Sequence, residues 1–197
     1  MDVMARFRTV AAAGLALSAV LAPATLAQGS LFKAIPVDQS KFILVSAPIG
    51  SGERSQLNIY EQRSSKRPCF ATSGSAPAVV DPLLSKFDFT GICNRYIDGN
   101  GYSLRIGGDD LGTRYRLSVV NTGSDIELLA TPTRDSSRPT FVVARAGGSA
   151  SGFIQLTFEP GWTLKRRAYG KKSLAHIYLF RDPAPGQCTL VTHRLTH

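Results

Sequence analysis

Glycine and proline punctuate this chain often after Lys41, which favours short elements over long helices. The stretches left over are short and rich in β-branched and aromatic residues, the pattern of an antiparallel β protein. They lie near Lys41–Ala47, Gln56–Gln62, Pro68–Ala71, Phe87–Cys93, Tyr102–Ile106, Arg114–Val120, Ile126–Ala130, Thr140–Ala146, Phe153–Phe158, and Trp162–Tyr169 followed by Leu174–Phe180. In Arg114–Val120, Tyr115, Leu117 and Val119 share one face while Arg114, Arg116 and Ser118 share the other, so one side of that strand meets water. The fold expected is all-β, an antiparallel β-sandwich or a partly closed β-barrel. At most one short helix is expected, near residues 81–86, with Asp81 as N-cap and Pro82 in the first helical position.

Three joints carry turn chemistry. Asn121-Thr122-Gly123-Ser124 offers residues that tolerate positive φ, and Pro160-Gly161 presets a type II turn. Asp98-Gly99-Asn100-Gly101 links Ile97 to Tyr102 in the same way. Each predicts that the strands on either side are antiparallel neighbours.

The beginning of the chain reads as an address rather than as structure. Arg6 and Arg8 precede an uncharged apolar run from Val10 to Leu21, followed by Pro23 and the small-residue stretch Ala24-Thr25-Leu26-Ala27. That order is the one a secretory signal peptide uses, and the run is too short for a span that needs roughly 20 residues. The expected organisation is a removed signal peptide over 1–27, a lead-in over 28–40, one β domain over 41–182 and a flexible tail over 183–197. No later apolar segment is long enough for a transmembrane helix, and the expected location is the periplasm or the medium. Losing the leader removes two arginines and one aspartate, so the formal charge falls by one from +9 to +8. A basic exported protein meets anionic wall polymer or acidic polysaccharide sooner than nucleic acid. An oxidising compartment also favours pairing of two of the three cysteines, Cys69 with Cys93, leaving Cys188 in the tail.

The most distinctive string is Phe87–Arg116, FDFTGICNRYIDGNGYSLRIGGDDLGTRYR. Together with Phe42–Val45, Gln56–Glu61, Arg67–Phe70 and the Pro160-Gly161-Trp162 turn, it resembles a family of exported cyanobacterial proteins catalogued as a domain of unknown function. The resemblance covers Phe32 to Arg181 and leaves the tail with Cys188 outside. It implies a secreted or periplasmic bacterial domain and brings no activity and no assigned functional residues.

Chemistry must therefore be sought residue by residue. Asp109 and Asp110 stand side by side on a glycine-rich turn, and with Glu61 they are the carboxylates a glycan or peptide hydrolase would use. Adjacent strand residues point to opposite faces, so such a pair meets one substrate only where a turn bends them together. His176 is the one histidine inside the β region, since His193 and His197 belong to the tail. Asp98 opens a string with the look of a calcium loop, but Tyr102 and Ser103 stand where a ligand and a glycine are required. Gly147–Gly152 lacks the G-x-S-x-G elbow, and no cysteine–histidine cluster has zinc spacing. No metal and no cofactor is expected. The basic hairpin remains: Lys165, Arg167 and Tyr169 share a strand face, Arg166 lies opposite, and Lys171 and Lys172 sit at the tip around Gly170. Charge beside an aromatic ring suits an anionic polymer. The sequence thus favours a non-catalytic envelope or extracellular binding module. Alternatives are a secreted hydrolase acting through Asp109, Asp110 or Glu61, and a structural subunit of an envelope assembly linked through Cys188.

Overall fold

The computed structural model describes residues 30–183; the expected leader over 1–27 and the tail cysteine Cys188 lie outside these residues. Within them the chain runs through Lys33–Pro36 (β1), Phe42–Ile49 (β2), Arg54–Gln62 (β3), Ala71–Ser73 (β4), Val79–Asp81 (β5), Cys93–Tyr96 (β6) and Tyr102–Ile106 (β7). It continues through Asp109–Asp110 (β8), Tyr115–Asn121 (β9), Ile126–Pro132 (β10), Phe141–Arg145 (β11), Ile154–Phe158 (β12), Trp162–Tyr169 (β13) and Lys172–Arg181 (β14). One sheet has five strands in the order β1-β13-β14-β7-β8. The other runs β6-β3-β2-β12-β11-β10-β9, with β5 attached to β12 and β4 to β5. This longer sheet curls into a half-barrel that brings β9 back against β3. The fold is all-β and combines both expected closures: a five-stranded sheet caps a partly closed barrel.

The main core lies between the sheets. Leu44, Ile59 and Leu128 of the curled sheet meet Leu104, Leu164 and Leu179 of the flat one. Strand β2 is buried on both faces, which explains its unbroken apolar run Phe42–Val45. Leu44 enters the main core, whereas Ile43 and Val45 enter a second cluster with Tyr60, Val80 and Leu84. That second cluster is roofed by the excursion between β3 and β6, which the Cys69–Cys93 disulfide ties down with the two Cα atoms 5.8 Å apart. Phe87, Phe89 and Ile92 pack into it from a loop. The expected strand over Phe87–Cys93 is therefore absent until Cys93: Gly91 takes φ +74°, and the amides of Ile92 and Cys93 both bond back to the Phe89 carbonyl.

Two turns do something other than expected. Asn121–Ser124 does join the antiparallel pair β9–β10, with Gly123 at φ +90°. Asp98–Gly101, however, carries the chain from β6 in the curled sheet to β7 in the flat one, and Pro160-Gly161 does the same between β12 and β13. Both are corners between layers, not hairpins. As a result β7 lies parallel to β14, with Tyr102 opposite Ile177, Ser103 opposite Tyr178 and Leu104 opposite Leu179. The expected short helix is a 3₁₀ turn over Leu83–Lys86. Its N-cap is Pro82, not Asp81, which ends β5 and instead pairs with Lys86 at 2.8 Å. A strand, β1, also lies within the lead-in and pairs antiparallel with β13.

Candidate functional site

Period-two alternation in the flat sheet sends Leu164, Ile177, Leu179, Tyr102 and Leu104 into the core. The opposite face then collects Lys165 and Arg167 from β13, His176, Tyr178 and Phe180 from β14, and Ser103 and Arg105 from β7. A sheet face turned away from a core is usually wet, yet Tyr178 is fully buried and His176, Phe180, Ser103 and Arg105 are nearly so. The covering groups are the cations themselves. The Lys165 ammonium sits 3.4 Å from the centre of the Phe180 ring, and the Arg105 and Arg167 guanidiniums lie about the Tyr178 ring at 5.1 and 4.8 Å. Phe32 closes over Arg167 at 4.8 Å.

At the centre of this face hydrogen bonds run in one direction. Arg167 donates through Nη2 to Asp110 Oδ2 (2.9 Å) and to Ser103 Oγ (3.4 Å), and through Nε to the Tyr178 hydroxyl (2.6 Å). The Tyr178 hydroxyl in turn donates to Asp110 Oδ2 at 2.7 Å. Ser103 Oγ lies 2.8 Å from His176 Nε2, and His176 Nδ1 lies 2.8 Å from the Asn100 carbonyl. A carbonyl only accepts, so Nδ1 carries the hydrogen of the neutral ring, Nε2 is the bare nitrogen, and Ser103 must donate to it. Burial lowers the pKa of His176 below its usual value; the Asn100 contact opposes this and the charge of Arg167 adds to it. The ring is therefore neutral at neutral pH. Burial, seconded by the bond to Asp110, raises the pKa of Tyr178. The cluster opens to solvent through a cavity of about 370 Å³ whose walls include Ser103, His176, Arg167, Asp110 and Thr113.

The sequence placed Asp110 and His176 among catalytic candidates and Arg167 among ligand-binding ones, and the fold brings all three into this cluster. It separates the others. Asp109 points to solvent, 3.8 Å from Arg114. Glu61 belongs to a second network on the core side of β13, where Arg166 Nη2 meets Glu61 Oε1 at 2.6 Å. Asn94 and the Tyr96 hydroxyl both reach Glu61 Oε2 at 2.7 Å. Burial works to raise the pKa of Glu61, but the bonds from Tyr96, Arg166 and Asn94 outweigh it and hold the carboxyl below its ordinary range. Because Arg166 and Arg167 are neighbours on one strand, Glu61 and Asp110 lie on opposite sides of the flat sheet. The three carboxylates therefore share no cleft, and the paired-carboxylate hydrolase loses its geometry. Asp98 spends its carboxylate on the amides of Asn100 and Gly101. Of the remaining basic-hairpin residues, Lys171 and Lys172 are exposed at the tip and Tyr169 is 55% exposed, edge-on to Phe32. A larger cavity of about 570 Å³ at the mouth of the half-barrel, between Arg54, Val119 and Ser151, gathers no comparable set of groups.

Ser103, Tyr178 and Arg105 were missed in the sequence. The signal for Ser103 and Arg105 was the alternation Tyr-Ser-Leu-Arg-Ile in β7, which marks them as leaving the core but not what they meet. Residues 8–184 match the family model described as "Protein of unknown function (DUF3747)". The chain belongs to that family. The match begins inside the expected leader and ends before Cys188, so it reaches further toward the N-terminus than the string-by-string resemblance from Phe32. No curated protein and no solved structure matches the chain. Family membership thus assigns the cluster no role.

Proposed function

We propose that the protein is an exported module that docks anionic envelope polymer, such as acidic polysaccharide, at the tip of its β13–β14 hairpin. One observation carries this reading. Lys171 and Lys172 project from the hairpin tip beside the exposed Tyr169 ring, and neither joins any ion pair among the described residues. Lys33 lies next to this end, opposite Ala168 on the neighbouring strand, and is exposed as well. Cations left without carboxylate partners, with an aromatic surface beside them, suit a flexible chain of sugar rings and negative charges. The signal-like leader supports the location, and the formal charge, +9 for the chain and so +8 without the leader's two arginines and one aspartate, supports the partner class.

The test is retention of the purified protein on immobilised acidic polysaccharide across a salt gradient. Binding should weaken as salt rises, because exposed charges are screened within about 10 Å at 0.1 M. Lys171→Glu combined with Lys172→Glu should weaken retention about tenfold or more, since a cation beside an anionic surface contributes about 1 kcal/mol. Retention that ignores both salt and charge reversal would remove the proposal.

A further inference from the structure

We propose that Ser103 and His176 form a nucleophile–base pair that cleaves short-chain carboxylic esters in the cavity they line. This goes beyond polymer docking, which involves the hairpin tip and requires no chemistry.

Four features of the cluster lead there. First, the parallel register that sets Ser103 opposite Tyr178 places His176, one same-face step earlier on β14, diagonal to Ser103, with Oγ and Nε2 2.8 Å apart. Second, the polarity suits base catalysis: the Asn100 carbonyl holds the Nδ1 hydrogen, so the bare Nε2 faces the serine hydroxyl. A backbone carbonyl thus orients the ring in the way a carboxylate does in a three-residue arrangement. Third, Arg167 donates to the same Oγ at 3.4 Å, and Asp110 and Tyr178 fix its guanidinium in place. A fixed cation beside the nucleophile favours the alkoxide and the oxyanion that follows. Fourth, the pair is not sealed in the core but lines the cavity of about 370 Å³, a size that suits a small acyl group. Gly112 keeps that space open, since a Cβ there would stand 3.1 Å from the Ser103 Cβ.

The chemistry balances with water as the only co-reactant. Ser103 Oγ bonds to the ester carbonyl carbon while its proton passes to His176 Nε2, and the tetrahedral oxyanion forms beside Arg167. The intermediate collapses by breaking the carbon–oxygen bond to the alcohol, which leaves with the proton from Nε2. Water then attacks the acyl-serine as Nε2 takes one of its protons. The carboxylic acid departs, and the same proton returns to Ser103 Oγ.

The experiment uses the purified full chain with an aryl fluorophosphonate, followed by peptide mass spectrometry, and separately with p-nitrophenyl acetate. The expected results are a phosphonyl adduct on Ser103 and ester turnover about 100-fold or more above buffer, in line with a positioned base. Ser103→Ala should abolish both while leaving the far-UV circular dichroism unchanged. The labelling rate should fall as pH drops through a value below the ordinary histidine range, because His176 is the base. Gly112→Ala should slow labelling by crowding the nucleophile. Absence of any adduct on folded wild-type protein overturns the proposal, as does an adduct on a different residue or turnover that survives Ser103→Ala. Polymer retention measured on the Ser103→Ala protein separates this outcome from that of the docking proposal.

Discussion

His176 couples the candidate site to the stability of the molecule. Its pKa in the folded protein lies below the unfolded value of about 6.5, so between those two values the unfolded chain binds the proton and the folded one does not. The stabilisation from the neutral ring is therefore fully present above about pH 6.5 and is lost as pH falls through the lower folded value. Protonation would place a second cation beside Arg167, with Asp110 the nearby carboxylate and the Tyr178 ring edge-on at 5.3 Å. Thermal melts should show the melting temperature dropping as pH falls below about 6.5, and the drop should shrink in His176→Gln. Glu61 acts lower on the scale: its depressed pKa stabilises the fold above the ordinary carboxyl range and ceases to do so as pH falls through the folded value. Glu61→Gln weakens the tie to Arg166, and urea denaturation at neutral pH should show a loss of about 2 kcal/mol. Residue types made Asp110, Arg167 and His176 visible in the sequence as separate suspects. Their meeting was hidden because it depends on β7 and β14, which are about 70 positions apart and exchange no local signal.

Strands whose apolar residues follow a clear period were legible as elements. The alternation in Tyr115–Asn121 is reproduced, with Tyr115 buried, Leu117 and Val119 packed on the core and Arg116 exposed. The unbroken run in β2 is the mark of a strand covered on both sides, and the structure supplies the cover in the loop tied by Cys69–Cys93. Phe87–Cys93 looked like a strand because a covering loop must also carry spaced apolar residues, and spacing alone does not distinguish pairing from packing. The consequence is testable. The disulfide spans 24 positions, a closure contributing roughly 3 kcal/mol in the chain-entropy account. Replacing both cysteines by serine should cost about that much in chemical denaturation. Amide exchange should rise first in the covering segment between β3 and β6, while β10 and β11, remote from that cluster, keep their protection.

The whole-molecule arrangement was least legible, because turn chemistry states that the chain reverses and not which sheet it enters. Pro160-Gly161 and Asp98–Gly101 are good turns in either case; they became corners because the strands they deliver, β13 and β7, bury Leu164 and Leu104 against the curled sheet. That shared core has a thermodynamic consequence. A contiguous cluster drawn from both sheets, with the Arg166–Glu61 pair bridging them, leaves neither sheet an apolar face it can keep dry alone. The two sheets should therefore unfold together. Trp162, the one tryptophan in the chain, lies in this cluster, so its fluorescence reports the core while far-UV circular dichroism reports the strands of both layers. In urea the two signals should trace one transition. Leu179→Ala, at a fully buried position facing the curled sheet, should shift both midpoints by the same amount, equivalent to about 2–5 kcal/mol. Two separated midpoints would instead mean that the half-barrel stands without its cap, and the candidate site, built entirely on the cap and its flanking turns, would then melt first.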